Sequence, residues 1–223
     1  MTRPTAGGID EPAELRVDAE RNRARIVDAA RQMFAAHGLA VPMADIARHA
    51  RVGVGTLYRR FPTRDDLIAA TFAAKMTAYA DAVERALADP DPWQGLTTYL
   101  RQICQMQADD QGFTDVLTMT FPTAKPFQVE RDRAHRGLVE LIARAKAAGK
   151  VRDDFTPEDV VILLMANAGV VNATASSAPT AWLRFATLMI SSYRADSAEP
   201  APPAPKPRAM YRALIRLRPQ PRR

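Results

Sequence analysis

Residues 42–64 read PMADIARHARVGVGTLYRRFPTR, and this stretch decides the fold. It contains two short amphipathic segments on which the apolar residues recur at helical spacing: Met43, Ile46, Ala47, Ala50, Leu57 and Phe61. Arg51, Val52 and Gly53 interrupt the two segments, and glycine is typical of a tight turn. Two short helices joined by such a turn form a helix-turn-helix. The sequence therefore predicts this motif at about residues 42–61.

Helical patterns continue on both sides of the motif. One helix is predicted from near Glu20 to His37, where Gly38 supplies a stop. A long helix is predicted to follow Thr63, because Thr63-Arg64-Asp65-Asp66 has the pattern of a capping box. Further helices are predicted at 93–108, 114–121, 126–148, 157–175 and 180–194. No convincing strand pattern occurs.

The predicted fold is therefore all-α, with a three-helix, homeodomain-like N-terminal domain joined by a long helix to a C-terminal helical domain. Residues 1–19 mix Gly, Pro and charges without periodicity and are predicted to form a flexible arm. The helix-turn-helix domain is predicted at 20–66 and the second helical domain at 67–194. Residues 195–223 form a Pro-rich, basic tail.

Charge is distributed unevenly along the 223 residues, whose net charge is +6. Residues 1–64 carry 11 basic and 7 acidic side chains, residues 65–199 carry 13 and 18, and residues 200–223 carry 7 and none. Basic ends around an acidic middle favour contact of the ends with a polyanion such as nucleic acid. A solvated basic surface is the alternative interpretation.

Several function classes are disfavoured by the sequence. The chain contains neither a G-x-S-x-G motif nor a phosphate-binding glycine loop that follows a strand, so an enzyme is not expected. His37, His49 and His135 do not have metal-ligand spacing, and no metal or cofactor is predicted. The longest strongly apolar run, Val160 to Ala166, is too short for a membrane span, and Cys104 is the only cysteine. We predict a cytoplasmic protein that does not associate with membranes.

Residues 25–72 resemble the DNA-binding domain of the TetR/AcrR family of transcriptional regulators. The resemblance rests on the end of the first helix, on Asp45-Ile46-Ala47 and on the run from Gly55 to Thr63, in the family's order and spacing. It implies a DNA-binding surface formed by Gly55, Thr56, Tyr58, Arg59, Arg60 and Arg64, to which we add Arg51 as a candidate phosphate contact. Thr56 and Tyr58 are expected to touch phosphates, and Arg59 and Arg60 to contribute specificity. For Tyr58, packing against the following helix is the alternative.

Two positions depart from the family pattern. Pro42-Met43 stands where the family usually has Ser or Thr, and Arg51 replaces the usual glycine of the turn. Arg51 either strains that turn or adds a phosphate contact.

The resemblance also implies a sensing domain, a homodimer and a palindromic DNA operator. A small, apolar effector is expected to bind in the acidic middle of the chain, where large apolar side chains either line a cavity or fill an ordinary core: Trp93, Met106, Phe113, Met119, Phe121, Phe127 and Met165. The dimer is expected to form through residues 157–175 and 180–194. A ligand-responsive repressor is the predicted function. The alternative is a helical ligand-binding or protein-interaction module without specific DNA binding.

The tail permits two interpretations. Its Pro-rich composition predicts a disordered segment. Arg208, Arg212 and Arg216, opposite apolar residues at helical spacing, predict instead a basic amphipathic segment that adds non-specific DNA affinity or docks on a partner.

Overall fold

The computed structural model of the chain describes residues 11–119, 121, 124–197, 199 and 201–216. Helices account for most of these residues, and the described part contains no strand, so the predicted all-α class is confirmed. None of the described helices combines the length and hydrophobicity needed to cross a bilayer. The helices are α1 (Glu11–His37), α2 (Met43–His49), α3 (Val54–Arg60), α4 (Arg64–Leu87), α5 (Pro92–Ala108), α6 (Gln111–Thr118), α7 (Lys125–Ala147), α8 (Pro157–Thr174), α9 (Ala181–Ser191) and α10 (Pro207–Arg216).

Helix α1 begins earlier than the sequence predicted. It starts at Glu11 rather than near Glu20, so the assignment of residues 11–19 to a flexible arm was wrong. Proline in the first turn of the helix, at position 12, suits a helix start. Residues 1–10 of the predicted arm lie outside the described residues.

Helix α6 also differs from its prediction, which placed a helix at 114–121. Asp110 caps α6 by accepting a hydrogen bond from the backbone N–H of Phe113 at 3.0 Å. Gly112 therefore lies inside this helix rather than ending the previous one. An Asp side chain that caps a helix overrides the tendency of a following glycine to break it.

The tail contains a helix, so the disordered interpretation is wrong for residues 207–216. Helix α10 places Met210, Ala213 and Leu214 in half-buried positions, whereas Arg208 and Arg212 are exposed. This is the amphipathic arrangement that the second interpretation predicted. Residues 217–223 lie outside the described residues.

The first hydrophobic core lies beneath the helix-turn-helix. It combines side chains of α1, α2, α3 and the first half of α4 with side chains from α6 and the start of α7. The buried residues near its centre include Ile26, Phe34, Ile46, Leu57, Leu67, Phe72 and Phe113. This core therefore crosses the domain boundary that the sequence predicted after residue 66.

The second core is built from the later part of α4 together with α5, α7, α8 and α9. Its buried residues include Val83, Tyr99, Leu100, Ile103, Leu141, Phe155, Leu163 and Ile190. Helix α4 contributes to both cores. Its start is fixed by a capping box in which Asp66 accepts from the backbone N–H of Thr63 at 3.0 Å and donates its own backbone N–H to the Thr63 hydroxyl at 3.1 Å.

A close contact between α1 and α6 joins the two halves of the molecule. A Cβ atom at Gly112 would lie 2.8 Å from Cζ of Phe72 and 3.0 Å from Cβ of Phe34, so only glycine permits this approach. Beside it, the backbone N–H of Leu39 donates to Oδ2 of Asp115 at 3.0 Å. Burial raises the pKa of the Asp115 carboxyl, although the hydrogen bond from Leu39 opposes the shift. We refer to this contact as the α1–α6 seam.

The seam predicts that Gly112→Ala destabilises the protein. The added methyl group meets the Phe72 ring together with Cβ and the carbonyl oxygen of Phe34, and overpacking of this kind costs about 1–3 kcal/mol of unfolding free energy. Urea unfolding of the DNA-free protein measures the change. Gly55→Ala is the matched control, because a Cβ at that exposed helical position meets nothing within 4 Å and alanine is the better helix former. Equal stability of the two variants would contradict the close approach at the seam.

Candidate nucleic-acid interface and internal cavity

The turn after α2 has left-handed backbone geometry at an arginine. Arg51 has φ of 55°, a conformation that glycine adopts at lower cost. The backbone N–H of Val52 donates to Ala47 O at 3.0 Å, and that of Arg51 donates to Arg48 O at 3.1 Å. These are the two hydrogen bonds of a Schellman ending, which satisfies the last carbonyls of the helix. The turn therefore has the backbone geometry that is expected with glycine, the residue that Arg51 replaces.

An arginine of α1 holds this turn in position. The Nη2 atom of Arg25 donates to Ala50 O at 2.8 Å and to Arg51 O at 3.0 Å. A cation at these carbonyls also stabilises the negative end of the α2 dipole. The orientation of α3 relative to α1 thus depends on a side chain outside the helix-turn-helix itself.

Helix α3 has one buried face and one exposed face. Leu57 is buried in the first core, and Phe61 is buried directly after the helix. Tyr58 is 47% exposed, and Arg59 and Arg60 are also exposed. The exposed face therefore presents one phenol and two guanidinium groups, which are suited to phosphates and base edges.

Two smaller features complete this face. Gly55 has open space where a side chain would be, so the backbone can approach a ligand closely. Arg59 Nη2 donates to Thr56 Oγ1 at 3.0 Å, which orients the guanidinium along the helix.

Helix α1 extends this surface. A cleft beside α3 is lined by residues of both helices: Asp18, Ala19, Asn22, Thr56, Arg59 and Arg60. The guanidinium carbon of Arg23 on α1 lies 5.6 Å from the ring centroid of Phe61, a cation–π contact with the residue that directly follows α3. The α1 residues of this surface were not predicted from the sequence, although Glu11 and Pro12 indicate an earlier helix start.

A cavity of about 340 Å³ lies in the other half of the molecule. Five helices form its wall: α4, α6, α7, α8 and α10. The lining is mostly apolar, with Arg131, His135 and Glu158 among the polar members: Tyr79, Leu117, Thr118, Arg131, His135, Leu138, Pro157, Glu158, Val160, Val161, Leu164, Met165, Pro207, Met210, Tyr211 and Leu214.

Two family models match consecutive parts of the chain. Residues 26–71 match the one described as bacterial regulatory proteins, tetR family, and residues 91–195 match the C-terminal domain of SbtR-like transcriptional regulators. The chain belongs to the TetR family. It is a DNA-binding transcriptional regulator, as the resemblance implied.

Individual relatives agree with this assignment. The transcriptional repressor KstR of Mycolicibacterium smegmatis is 30% identical over 146 residues, which are 64% of this chain and 72% of that protein. KstR of Mycobacterium tuberculosis is 29% identical over 146 residues, which are 64% of this chain and 66% of the repressor's length. The structure of FadR from Bacillus subtilis, in complex with stearoyl-CoA, shares the fold with a TM-score of 0.53 and 16% identity, covering 79% of this chain and 99% of that one.

The predicted DNA-binding residues of this TetR-family regulator fall into two groups. Gly55, Thr56, Tyr58, Arg59 and Arg60 lie together on α3. Arg51 and Arg64 lie outside this helix, in the preceding turn and at the start of α4.

Arg64 has a structural contact that the sequence did not reveal. Its Nη1 atom donates to Leu39 O at 2.7 Å and to Val41 O at 2.6 Å, so it holds the loop between α1 and α2. A contact of Arg64 with phosphate stays a prediction.

Most of the predicted effector-lining residues do not line this cavity. Of the proposed set only Met165 lines the cavity. Four of the others belong to the first core: Phe113, Met119, Phe121 and Phe127. Met106 packs against that core, and the ring of Trp93 lies 5.1 Å from the guanidinium carbon of Arg194. For these six the ordinary-core alternative describes the structure, because helical spacing identifies inward-facing residues without indicating which interior space stays unfilled.

The geometry of the turn predicts that Arg51→Gly does not destabilise the protein. Glycine removes a left-handed strain of about 1 kcal/mol but adds unfolded-state entropy of similar size, so the unfolding free energy is expected to stay equal or rise by less than about 1 kcal/mol. Urea unfolding measures it. Arg51→Val is the comparison, since a β-branched residue at this φ is expected to cost more than the native arginine. A loss of stability in Arg51→Gly comparable with that in Arg51→Val would show that the backbone there is not left-handed.

Proposed function

We propose that this TetR-family regulator is a ligand-responsive repressor that binds a palindromic operator as a homodimer. The observation that carries the proposal is the outward face of α3, on which Tyr58, Arg59 and Arg60 are exposed while Leu57 is buried. A short helix with this face is suited to the major groove, where arginine hydrogen-bonds guanine edges. The description of both KstR relatives as repressors supports repression.

Apolar exposure on the last two long helices supports the dimer. Ile162 of α8 and Leu183 and Leu188 of α9 are large apolar side chains exposed to solvent, with Leu188 at 58%. Exposed Ala166 and Gly169 continue the α8 stripe with small residues that allow a close approach. A two-fold interface through α8 and α9 buries these positions and arranges two α3 helices symmetrically, which corresponds to a palindromic operator.

The route from effector to DNA runs through α4 and α6. Both helices line the cavity, with Tyr79 on α4 and Leu117 and Thr118 on α6. The same two helices contribute to the core beneath α3, and α6 contacts α1 at the seam. An effector that favours one arrangement of α6 over another therefore shifts the helix-turn-helix, provided that its affinity for the two arrangements differs.

Selection of random duplex DNA by the purified protein tests the proposal directly. Recovery of a palindrome at physiological salt is the expected result. Binding that disappears as salt rises, with no enriched sequence, would overturn it and favour the interaction module, because counterion release alone produces non-specific, salt-sensitive binding.

Charge reversal on α3 is expected to abolish operator binding. Each specific arginine contact is worth about 1–3 kcal/mol, so Arg59→Glu with Arg60→Glu should weaken binding of the selected DNA by at least about 30-fold. Fluorescence anisotropy with labelled DNA measures the affinity. Arg101→Glu, which reverses an exposed arginine on α5, is the control and should change affinity only slightly. Comparable losses of DNA affinity in the α3 double variant and in Arg101→Glu would show that α3 contributes only non-specific electrostatic attraction.

A charge in the apolar face of α9 is expected to break the dimer. Leu188→Glu places a carboxylate where the proposed interface is desolvated, so the molar mass from light scattering should fall from that of two chains to that of one. Val129→Glu on α7 is the matched control, since Val129 is 65% exposed but lies outside α8 and α9. A dimer that survives Leu188→Glu and dissociates in Val129→Glu would move the interface to α7.

A further inference from the structure

Helix α10 closes one side of the cavity. Pro207, Met210, Tyr211 and Leu214 all line it, opposite residues of α4, α6, α7 and α8. The tail is therefore part of the cavity wall, although it lies beyond both hydrophobic cores. A cavity enclosed by several secondary structure elements is the usual form of a small-molecule site.

The tail is anchored shortly before α10. Arg152 Nη2 donates to Glu199 O at 2.8 Å, and the backbone N–H of Ala201 donates to Asp154 Oδ2 at 3.3 Å. The side chains of Arg152 and Asp154 also pair with each other, with Nη2 to Oδ2 at 2.7 Å. The proline-rich segment that follows limits the conformations by which α10 reaches the cavity.

Helix α10 is held weakly by its own contacts. Tyr211 is 51% exposed and Ile215 is 41% exposed, so only part of its apolar surface is buried. An isolated helix of ten residues is marginal in water, and its stability here depends on packing over the cavity. A ligand that adds apolar surface beneath α10 therefore strengthens its docking.

The cavity wall also contains an arginine that has no counter-ion among the described residues. Arg131 of α7 uses Nη2 to donate to Val116 O and, at 2.6 Å, to Met119 O. Its Nε is buried and has no acceptor among the described residues, and none of their carboxylates lies within ion-pair distance. Burial lowers the pKa of the Arg131 guanidinium, while Tyr79 and Tyr211 oppose the shift.

These features define the chemistry of the ligand. A half-buried guanidinium whose buried Nε has no acceptor among the described residues favours an anion, because charge-assisted hydrogen bonds offset the cost of desolvation. The surrounding apolar wall and the volume of about 340 Å³ suit a single hydrocarbon chain or ring system of modest size. Glu158 also lies on the wall and opposes an anion, so the anionic group is expected at the Arg131 side.

We propose that the effector is an amphipathic anion whose carboxylate pairs with Arg131 and whose apolar part lies beneath α10, which acts as a movable wall. This inference rests on the proposed function and deepens it by naming the effector class. It refines the simple apolar ligand expected from the sequence by adding a required negative charge.

Calorimetric titration of the full-length protein with octanoate and with 1-octanol tests the charge requirement. A charged hydrogen-bond pair is worth about 1.5–3 kcal/mol, so octanoate should bind at least about 10-fold more tightly than the alcohol. Equal affinities, or tighter binding of 1-octanol, would overturn the proposal. The comparison needs no variant, so it is decisive even where substitutions at Arg131 disturb the end of α6.

Variants then assign the preference to Arg131. Arg131→Gln should reduce octanoate affinity to that of 1-octanol. Arg133→Gln is the control on the same helix, because Arg133 pairs with Asp81, Glu84 and Glu130 and does not line the cavity. Circular dichroism verifies that both variants are folded. A preference for octanoate that persists in folded Arg131→Gln would place the anion elsewhere.

The contribution of α10 to the cavity wall is tested separately. Met210→Ser with Leu214→Ser should weaken octanoate and 1-octanol by a similar factor of several-fold while leaving their ratio unchanged. Arg212→Ser, on the exposed face of α10, should leave both affinities unchanged. Unchanged affinities in the double variant would remove α10 from the site.

The titrations contain no DNA and are independent of operator binding. A protein that selects a palindrome without preferring octanoate keeps the proposed function and loses this inference. If the protein prefers octanoate but selects no palindrome, the anion site is supported and the repressor function is overturned.

Discussion

Helix α4 runs without a break from the capping box at Thr63 to Leu87 and supplies side chains to both hydrophobic cores. Because a closely packed interior resists small displacements, neither core can shift α4 without a response in the other. The position of α3 therefore depends on a helix whose far half is fixed by α5 and α7. A protein with two independently packed domains and a flexible linker would not have this constraint.

Helix α6 adds a second mechanical connection. At the C-terminal end of α6, Arg131 binds the carbonyls of Val116 and Met119. Nearer the start of α6, Gly112 contacts α1 and Asp115 contacts the loop that follows α1. Arg131, which we propose binds the effector, and the α1–α6 seam, which positions the DNA-binding domain, thus contact the same short helix. The contacts of Arg131 and the seam are therefore separated by only about two turns of α6.

The sequence predicted what depends on local rules. The helix-turn-helix, the all-α class and the start of α4 follow from apolar spacing and from the Thr63 capping pattern, and the structure contains each of them. The sites were harder to predict. Arg64 holds a loop because carbonyls of Leu39 and Val41 approach it in space, and the cavity is lined by residues that no sequence spacing connects. Which part of a helical interior stays empty is a property of tertiary packing alone.

Helix α10 is attached by a proline-rich segment, so its sequence can change independently of the rest of the fold. The residues of α10 are absent from both hydrophobic cores, yet they form one side of the cavity. Exchange of the segment after Lys206 for another amphipathic helix would alter which molecules the cavity accepts while the framework that reads DNA stays intact. The residues that select the ligand and the residues that stabilise the fold thus lie in different parts of the chain, and α10 is a suitable segment in which to introduce a new specificity in a sensor built on this scaffold.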